Sequence, residues 1–262
     1  MDSKINIIVN GYPKSGTTWL TKLVGDLLDC PVGGFWEYGD DYLTTYGTER
    51  VSRFTCYKSH HTYSELVDQL NEQTKMIYIV RDPRDIVVSG AYHFSFLPLR
   101  VKSVLRKMIK SQTKRTKFNH KLSSMMSLAK RKSMMIALVN GQSTYQLKWM
   151  STSWIEHVNP FINKNIFILK YEDLLADTTE ECRKILAFLD SKLSSDQLDA
   201  IVKNNSFESK KQHYTESQDY FNIRLLRKGK KQQWRDELTP DQIDTIVQYN
   251  LPLMRHFGYS DS

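Results

Sequence analysis

The chain has 262 residues, 40% of them hydrophobic and 25% charged, enough apolar material for one core of the size that grows to roughly 250–300 residues before chains divide; a single domain over 1–262 is expected. Nothing approaches the roughly 18 consecutive apolar residues of a membrane span. The net charge is +8, but 13 Lys and Arg and no Asp or Glu fall between Ser95 and Met150, so the remainder is net acidic and a uniformly basic nucleic-acid or membrane-surface protein is excluded.

Taken in chain order, Ile5 to Val9 is a short β-branched run followed by a turn containing Gly, Pro and Ser. A helical pattern then begins at Thr18 and continues through Leu20, Leu23, Val24, Leu27 and Leu28, giving strand, loop, helix. The same opening residues lack the charged, apolar and small-residue succession of a secretory signal. Cys30, Cys56 and Cys182 are scattered and odd in number, without zinc spacing, so reduced thiols and a cytoplasmic setting are expected. A second apolar stretch ends in Tyr57-Lys58-Ser59-His60-His61 and precedes a helix over Ser64 to Gln69. Lys75 to Val80 reads as a strand buried on both faces, passing through Arg81-Asp82-Pro83 into a helix around Asp85 to Tyr92, and Asn165 to Leu169 reads as a fourth strand. Strands alternating with helices, with polar clusters at the strand C-terminal ends, imply an α/β fold: a central parallel sheet flanked by helices. Three capping boxes are expected, Thr178-x-x-Glu181, Ser194-x-x-Gln197 and Thr239-Pro240-x-Gln242.

Residues 97–150 interrupt this alternation. Val101, Val104, Leu105, Met108 and Ile109 recur at helical spacing opposite Lys and Arg. The segment is expected to be a basic helical insertion, either a solvated surface element or a lid or acceptor-site region.

Four clusters carry chemistry. Tyr12-Pro13-Lys14-Ser15-Gly16-Thr17-Thr18-Trp19 places successive backbone N–H groups at a helix N-terminus, an anion cradle completed by hydroxyls and a lysine. Against the kinase pattern G-x-x-x-x-G-K-[ST], Thr17 stands where the lysine belongs and the lysine sits inside the loop at Lys14, which suits a donor needing no Mg²⁺. Arg81 ends a strand and Ser89 follows about two helical turns on, so a guanidinium and a hydroxyl converge on one dianion, while Arg84 is expected to be a salt-bridging surface residue. Arg227-Lys228-Gly229, with Trp234 beyond, combines two cations with a glycine that admits close approach. In Lys58-Ser59-His60-His61, strand alternation puts Lys58 and His60 on one face and His61 on the other, which selects His60 as the base suited to neutral pH.

The first loop, the Arg81…Ser89 cluster, the K-x-H spacing and the Arg227-Lys228-Gly229 stretch resemble, in order, the motifs of the sulfotransferases that use 3′-phosphoadenosine-5′-phosphosulfate (PAPS). The resemblance covers about residues 5 to 240, with 97–150 poorly matched. It implies a P-loop-NTPase-like sulfotransferase fold, and a donor that becomes 3′,5′-adenosine bisphosphate (PAP) without a metal. By that resemblance Lys14 would contact the phosphosulfate bridge, and Ser15, Gly16, Thr17 and Thr18 the 5′-phosphate. Trp19 would stack on adenine; Arg81 and Ser89 would hold the 3′-phosphate, and Arg227, Lys228 and Gly229 would close over the nucleotide. Tyr171, Asn205 and Phe207 would complete the base pocket. His60 would be the general base, with Lys14 and Lys58 neutralising the leaving group. Gln232 and Gln233 replace the glycine and aspartate of the family's R-K-G-x-x-G-D-W signature. No stretch near Leu251 to Ser262 matches the family's dimerisation signature, so monomer and homodimer both stay open.

The partner implied is a small-molecule acceptor with a hydroxyl or amine, not a nucleic acid. Phe35, Trp36, Glu37 and Asp40 mix aromatic rings with carboxylates where the family's acceptor pocket begins, suggesting a cationic acceptor. Two other classes are a Mg²⁺-dependent P-loop small-molecule kinase, disfavoured by the position of Lys14, and a nucleic-acid binder using 95–150, disfavoured by its few aromatics.

Overall fold

The computed structural model describes residues 4–37, 45–94, 96, 101, 104, 107–109, 114, 118, 121, 125–145, 147, 149–217, 223 and 228–259. Among them the central sheet has six strands, β1 (Ile5–Asn10), β2 (Val32–Phe35), β3 (Thr45–Tyr46), β4 (Phe54–Lys58), β5 (Thr74–Val80) and β6 (Phe167–Lys170), in the order β3-β2-β4-β1-β5-β6. All neighbours are parallel except β2 and β3, so a five-stranded parallel sheet carries a two-residue antiparallel edge. β1 lies at the centre, pairing β4 on one side and β5 on the other. This explains its unbroken apolar run, because both of its faces are covered.

Alternation along the strands divides the core. Ile7, Val9, Ile77, Ile79 and Leu169 face α1 (Thr17–Leu27), α7 (Thr178–Phe188) and α8 (Ser195–Asn204). Ile8, Met76, Tyr78 and Val80 face α3 (Pro83–His93), α4 (Leu128–Val139), α5 (Trp154–Val158) and α11 (Pro240–His256). The shorter helices are α2 (Tyr63–Leu66), α6 (Tyr171–Ala176), α9 (Phe207–Glu216) and α10 (Trp234–Glu237).

The Ser194/Gln197 and Thr239/Gln242 capping boxes form, the latter with Pro240 in the first turn. The expected box at Thr178 does not. Asp177 caps α7 by accepting from the Glu180 N–H, and the Thr178 hydroxyl turns back to the Leu174 carbonyl; a carboxylate one residue upstream outcompetes the hydroxyl at a positive helix end. Two further boxes, Thr62/Glu65 and Ser153/Glu156, start α2 and α5.

Within the basic segment, Leu105 and several neighbours lie outside the described residues, while Val101, Val104 and Met108 are helical and exposed. Its later part behaves differently. Met135, Ile136, Leu138 and Val139 of α4, with Leu147 and Met150, are buried in the core, so 128–150 is a structural element as well as a charged one.

Candidate functional site

The C-terminal ends of β1, β4, β5 and β6 bring the sequence motifs together, as open parallel sheets do. Between β1 and α1 the loop is shaped by backbone. Lys14 has φ 78° and Gly16 φ 98°, left-handed residues on either side of Ser15, whose N–H donates to the Tyr12 carbonyl at 3.1 Å. A side chain at Gly16 would meet the Tyr171 ring at 2.6 Å. Ser15 is fully buried and its hydroxyl has no hydrogen-bond partner in the protein.

Around this loop the other motifs close in. Arg81 Nη1 donates to the Lys14 carbonyl at 3.1 Å, and its guanidinium lies 4.1 Å over the Tyr171 ring. Arg81 Nε is buried without a partner. Trp19 meets Tyr171 edge-on at 6.0 Å and donates its indole N–H to the Asn205 carbonyl at 3.0 Å. The Asn205 amide itself is turned to Asp26 and Ile201. Phe207 begins α9, and Gly229, at φ 57°, lies so flat on its ring that an added Cβ would come within 2.2 Å. Ser89 is half-buried on α3. Lys228 pairs with Glu237 at 3.2 Å, and Glu237 also accepts from Lys132 and Tyr92. The Lys132, Lys228 and Tyr92 bonds hold the Glu237 carboxyl down at about 2 against the pull of burial. Arg227 and Asp40 lie outside the described residues.

Arg84 is not the surface residue expected. It is 1% exposed, paired through Nε and Nη2 with Asp82, and stacked 3.8 Å from the Trp234 ring. Asp82 meanwhile donates its N–H to Glu172, which accepts from Tyr259. Pairing is what lets such charges be buried, because an unpartnered charge there is costly.

The β4 end supplies the candidate base. Lys58 Nζ donates to Thr18 Oγ1 at 2.8 Å, and His60 Nδ1 donates to the Gly11 carbonyl at 2.6 Å. Because a carbonyl only accepts, the neutral ring carries its proton on Nδ1 and its lone pair on Nε2. Burial, then the Lys58 charge, hold the His60 pKa well below the usual histidine value; His157 and Lys14 push the same way. The ring is therefore neutral, with Nε2 as its basic atom. His61 meets the Ser59 hydroxyl at 2.9 Å and Glu37 at 3.6 Å, and its ring lies 5.0 Å from that of Trp149; β4 ends at Lys58, so strand alternation does not extend to the two histidines.

Several contributors escaped the sequence reading. Trp149, with φ 75°, stacks parallel to Phe35 at 5.5 Å, and both rings lie within 6.4 Å of the His60 ring. Phe35 also sits 4.7 Å under the Lys58 ammonium. Trp36 turns away to Tyr57 and Gln69, while Glu37 accepts from Gln69. His157, buried in the core, accepts from Tyr78 Oη at 2.8 Å and donates Nε2–H to the His60 carbonyl at 3.1 Å, fixing the backbone beneath the base. Asp85 accepts from the Gln232 and Trp234 N–H groups at 2.9 and 3.1 Å. No local motif announces these contacts.

Among the described residues there is no cluster able to hold a metal ion and no helix long and apolar enough to cross a membrane. The sulfotransferase domain family matches residues 42–258. Sulfotransferase 2A1 of Rattus norvegicus is 26% identical over 264 residues, covering 92% of this chain and 81% of that one. The 3-alpha-hydroxysteroid sulfotransferase of Cavia porcellus is 26% identical over 262 residues, covering 90% and 78%. Among solved structures, mouse sulfotransferase SULT7A1 complexed with PAP is similar with a TM-score of 0.67 at 23% identity, covering 96% of this chain and 85% of that one. Retinol dehydratase in complex with androsterone and the inactive cofactor PAP gives 0.64 at 20%, covering 97% and 81%. Similar folds and a family match over most of the length agree with the motifs assembled above: the chain belongs to the sulfotransferase domain family and is a sulfotransferase enzyme.

Proposed function

We propose that this sulfotransferase takes a sulfuryl group from PAPS and passes it to the hydroxyl or amine of a small acceptor, with His60 as general base. The observation that carries the reading is the hydrogen bond from His60 Nδ1 to the Gly11 carbonyl, which ties the base to the root of the phosphate loop and leaves Nε2 as its basic atom. The unpartnered Ser15 hydroxyl and Arg81 Nε, and a loop with no room for a side chain at Gly16, fit phosphate oxygens. PAP in the complexes of the two structural relatives supports the same donor. Ser15, Gly16, Thr17 and Thr18 would hold the 5′-phosphate, Arg81 and Ser89 the 3′-phosphate, and Arg227, Lys228 and Gly229 would close over the nucleotide. Trp19, Tyr171, Asn205 and Phe207 would frame the base.

In the reaction the acceptor oxygen or nitrogen attacks sulfur as the bond from sulfur to the bridging oxygen breaks. The acceptor proton moves to His60 Nε2, and the electron pair leaves with the 5′-phosphate oxygen of PAP. Lys14 and Lys58 stabilise that developing charge. The buried, unpaired cysteines support a cytoplasmic setting, within one domain that includes 97–150.

The wall nearest His60 is the Phe35–Trp149 stack, which suits an apolar or aromatic acceptor; the hydroxysteroid named for one relative has that character. Glu37 gives the second reading, a cationic acceptor, with Asp40 beside it in sequence, although the Glu37 carboxylate is already engaged by Gln69 and His61.

Calorimetry with PAP, followed by isotopically labelled PAPS against a panel of alcohols, phenols and amines, tests the proposal. His60→Ala is expected to lower turnover by roughly 100-fold or more while PAP affinity changes less than about threefold. Absence of PAP uptake by the wild-type chain would overturn the donor, and near-normal turnover of His60→Ala would remove the base. Glu37→Gln that leaves amine selectivity unchanged discards the cationic acceptor.

A further inference from the structure

Gln232 has φ 58°, a conformation open to glycine but costly for a side-chain-bearing residue. It stands where the resembling signature has glycine, so the turn has been kept without the residue that makes it easy. Something else must hold it. The Asp85 carboxylate, 1% exposed in the first turn of α3, does so by accepting from the Gln232 N–H through Oδ2 at 2.9 Å and from the Trp234 N–H through Oδ1 at 3.1 Å, across 147 and 149 residues of chain. Arg84 covers the Trp234 ring at 3.8 Å, and Gln233 closes the turn through its amide to the Lys230 carbonyl. The same Asp85 Oδ2 lies 3.7 Å from Arg81 Nη2, so one carboxylate touches both the arginine of the phosphate site and the far loop.

We propose that Asp85 is a positioning residue for nucleotide binding: it clasps residues 232–234 onto α3 and holds the left-handed turn at Gln232, which places the loop of Lys228 and Gly229 over the site. This rests on the reading of that loop as part of the nucleotide site. A carboxylate accepting two backbone N–H groups in a dry environment is a strong restraint, and it offsets the conformational penalty that Gln232 brings. Asn in its place keeps one good acceptor and turns a donor toward the second N–H.

The experiment compares wild type with Asp85→Asn, Asp85→Asn with Gln232→Gly, and Gln232→Pro. It reads PAP affinity by calorimetry, tryptic cleavage at Lys230 and Lys231, and thermal midpoint. Asp85→Asn is expected to weaken PAP roughly tenfold or more and to speed cleavage several-fold, since charged hydrogen bonds carry energies of that order. Adding Gln232→Gly should recover at least about threefold of the lost affinity, because glycine takes φ 58° without strain; a general loss of folding would not be rescued in this way. Gln232→Pro removes the donor and cannot take a positive φ, so it should reproduce the loss of PAP affinity at an unchanged thermal midpoint; it carries the affinity test if Asp85→Asn does not fold, with cleavage read only in the other variants because trypsin spares a Lys-Pro bond. PAP affinity within about twofold of wild type in Asp85→Asn and Gln232→Pro, or a loss that Gln232→Gly fails to restore, overturns the proposal. Failure of wild type to bind PAP strikes the proposed function instead, and the cleavage arm still reads the clasp.

Discussion

The two loops assigned to the nucleotide are braced to different degrees by distant side chains. The loop after β1 takes its shape from its own backbone, Lys14 and Gly16 in left-handed conformations, wedged against Tyr171. The loop at 228–234 takes its shape from distant carboxylates, Asp85 on α3 and Glu237 on α10. A cradle defined by φ angles is rigid before any ligand arrives, whereas one defined by side-chain acceptors depends on how those acceptors are protonated and packed.

The largest expected effect falls on the first loop. Gly16→Val adds a β-branched side chain at φ 98° and 2.6 Å from Tyr171, and strain plus overlap of that kind should weaken PAP binding roughly 100-fold or more by calorimetry. Tyr171→Ala in the same background should recover the overlap and not the strain. An affinity within threefold of wild type would erase the contrast between the loops.

Acid should loosen the base beneath that loop next. His157, held neutral by burial, has its pKa lowered from 6.5 to about 4. Its neutral form contributes stability that is complete above about pH 6.5 and is lost as pH falls toward about 4, up to about 3 kcal/mol. Urea unfolding across that window should show the decline, and His157→Asn should make it shallower, the buried His60 supplying part of what remains; equal slopes in both proteins would assign the acid sensitivity elsewhere.

The second loop should respond more gently to the loss of one brace. Glu237→Gln removes the charge that Lys132 and Lys228 share, and, with Lys228 half exposed, PAP affinity should fall by no more than about fivefold. A larger loss would make Glu237 the equal of Asp85. The smallest effect is a displacement. Lys58→Met removes a cation that holds the His60 pKa down, so the His60 ring, followed by NMR, should titrate at higher pH than in wild type, and an unmoved curve would place Lys58 too far to matter.

Much of this was legible in the sequence wherever the signal was local. β5 and α3 follow from a run buried on both faces and an Asp-Pro helix start, and the loop after β1 follows from its glycine between strand and helix. β2 was not legible. Its Gly33-Gly34 pair has poor strand propensity, and it is held by its pairing with β4 through an irregular register, which only tertiary structure supplies. Arg84 was misjudged because an exposed and a buried arginine look alike until Asp82 and Trp234 are found around it. Trp149 sits in a stretch that carries no motif, and its partner Phe35 is more than a hundred residues away. Asp85 reads as an ordinary first-turn acid, and its true partners are named by no spacing rule.

The strand order has a consequence for how the molecule comes into being. β1 is made first, yet it is the middle plank of the sheet: Ile5 lies against Phe54 on one side and Asn6 against Thr74 on the other. Its hydrogen-bonding edges stay unmet until both later strands have been synthesised and have found it, a closure of long chain segments that is slow by nature. The loop after β1, although early in the chain, settles onto a complete sheet only after residues 54–80 have paired with it.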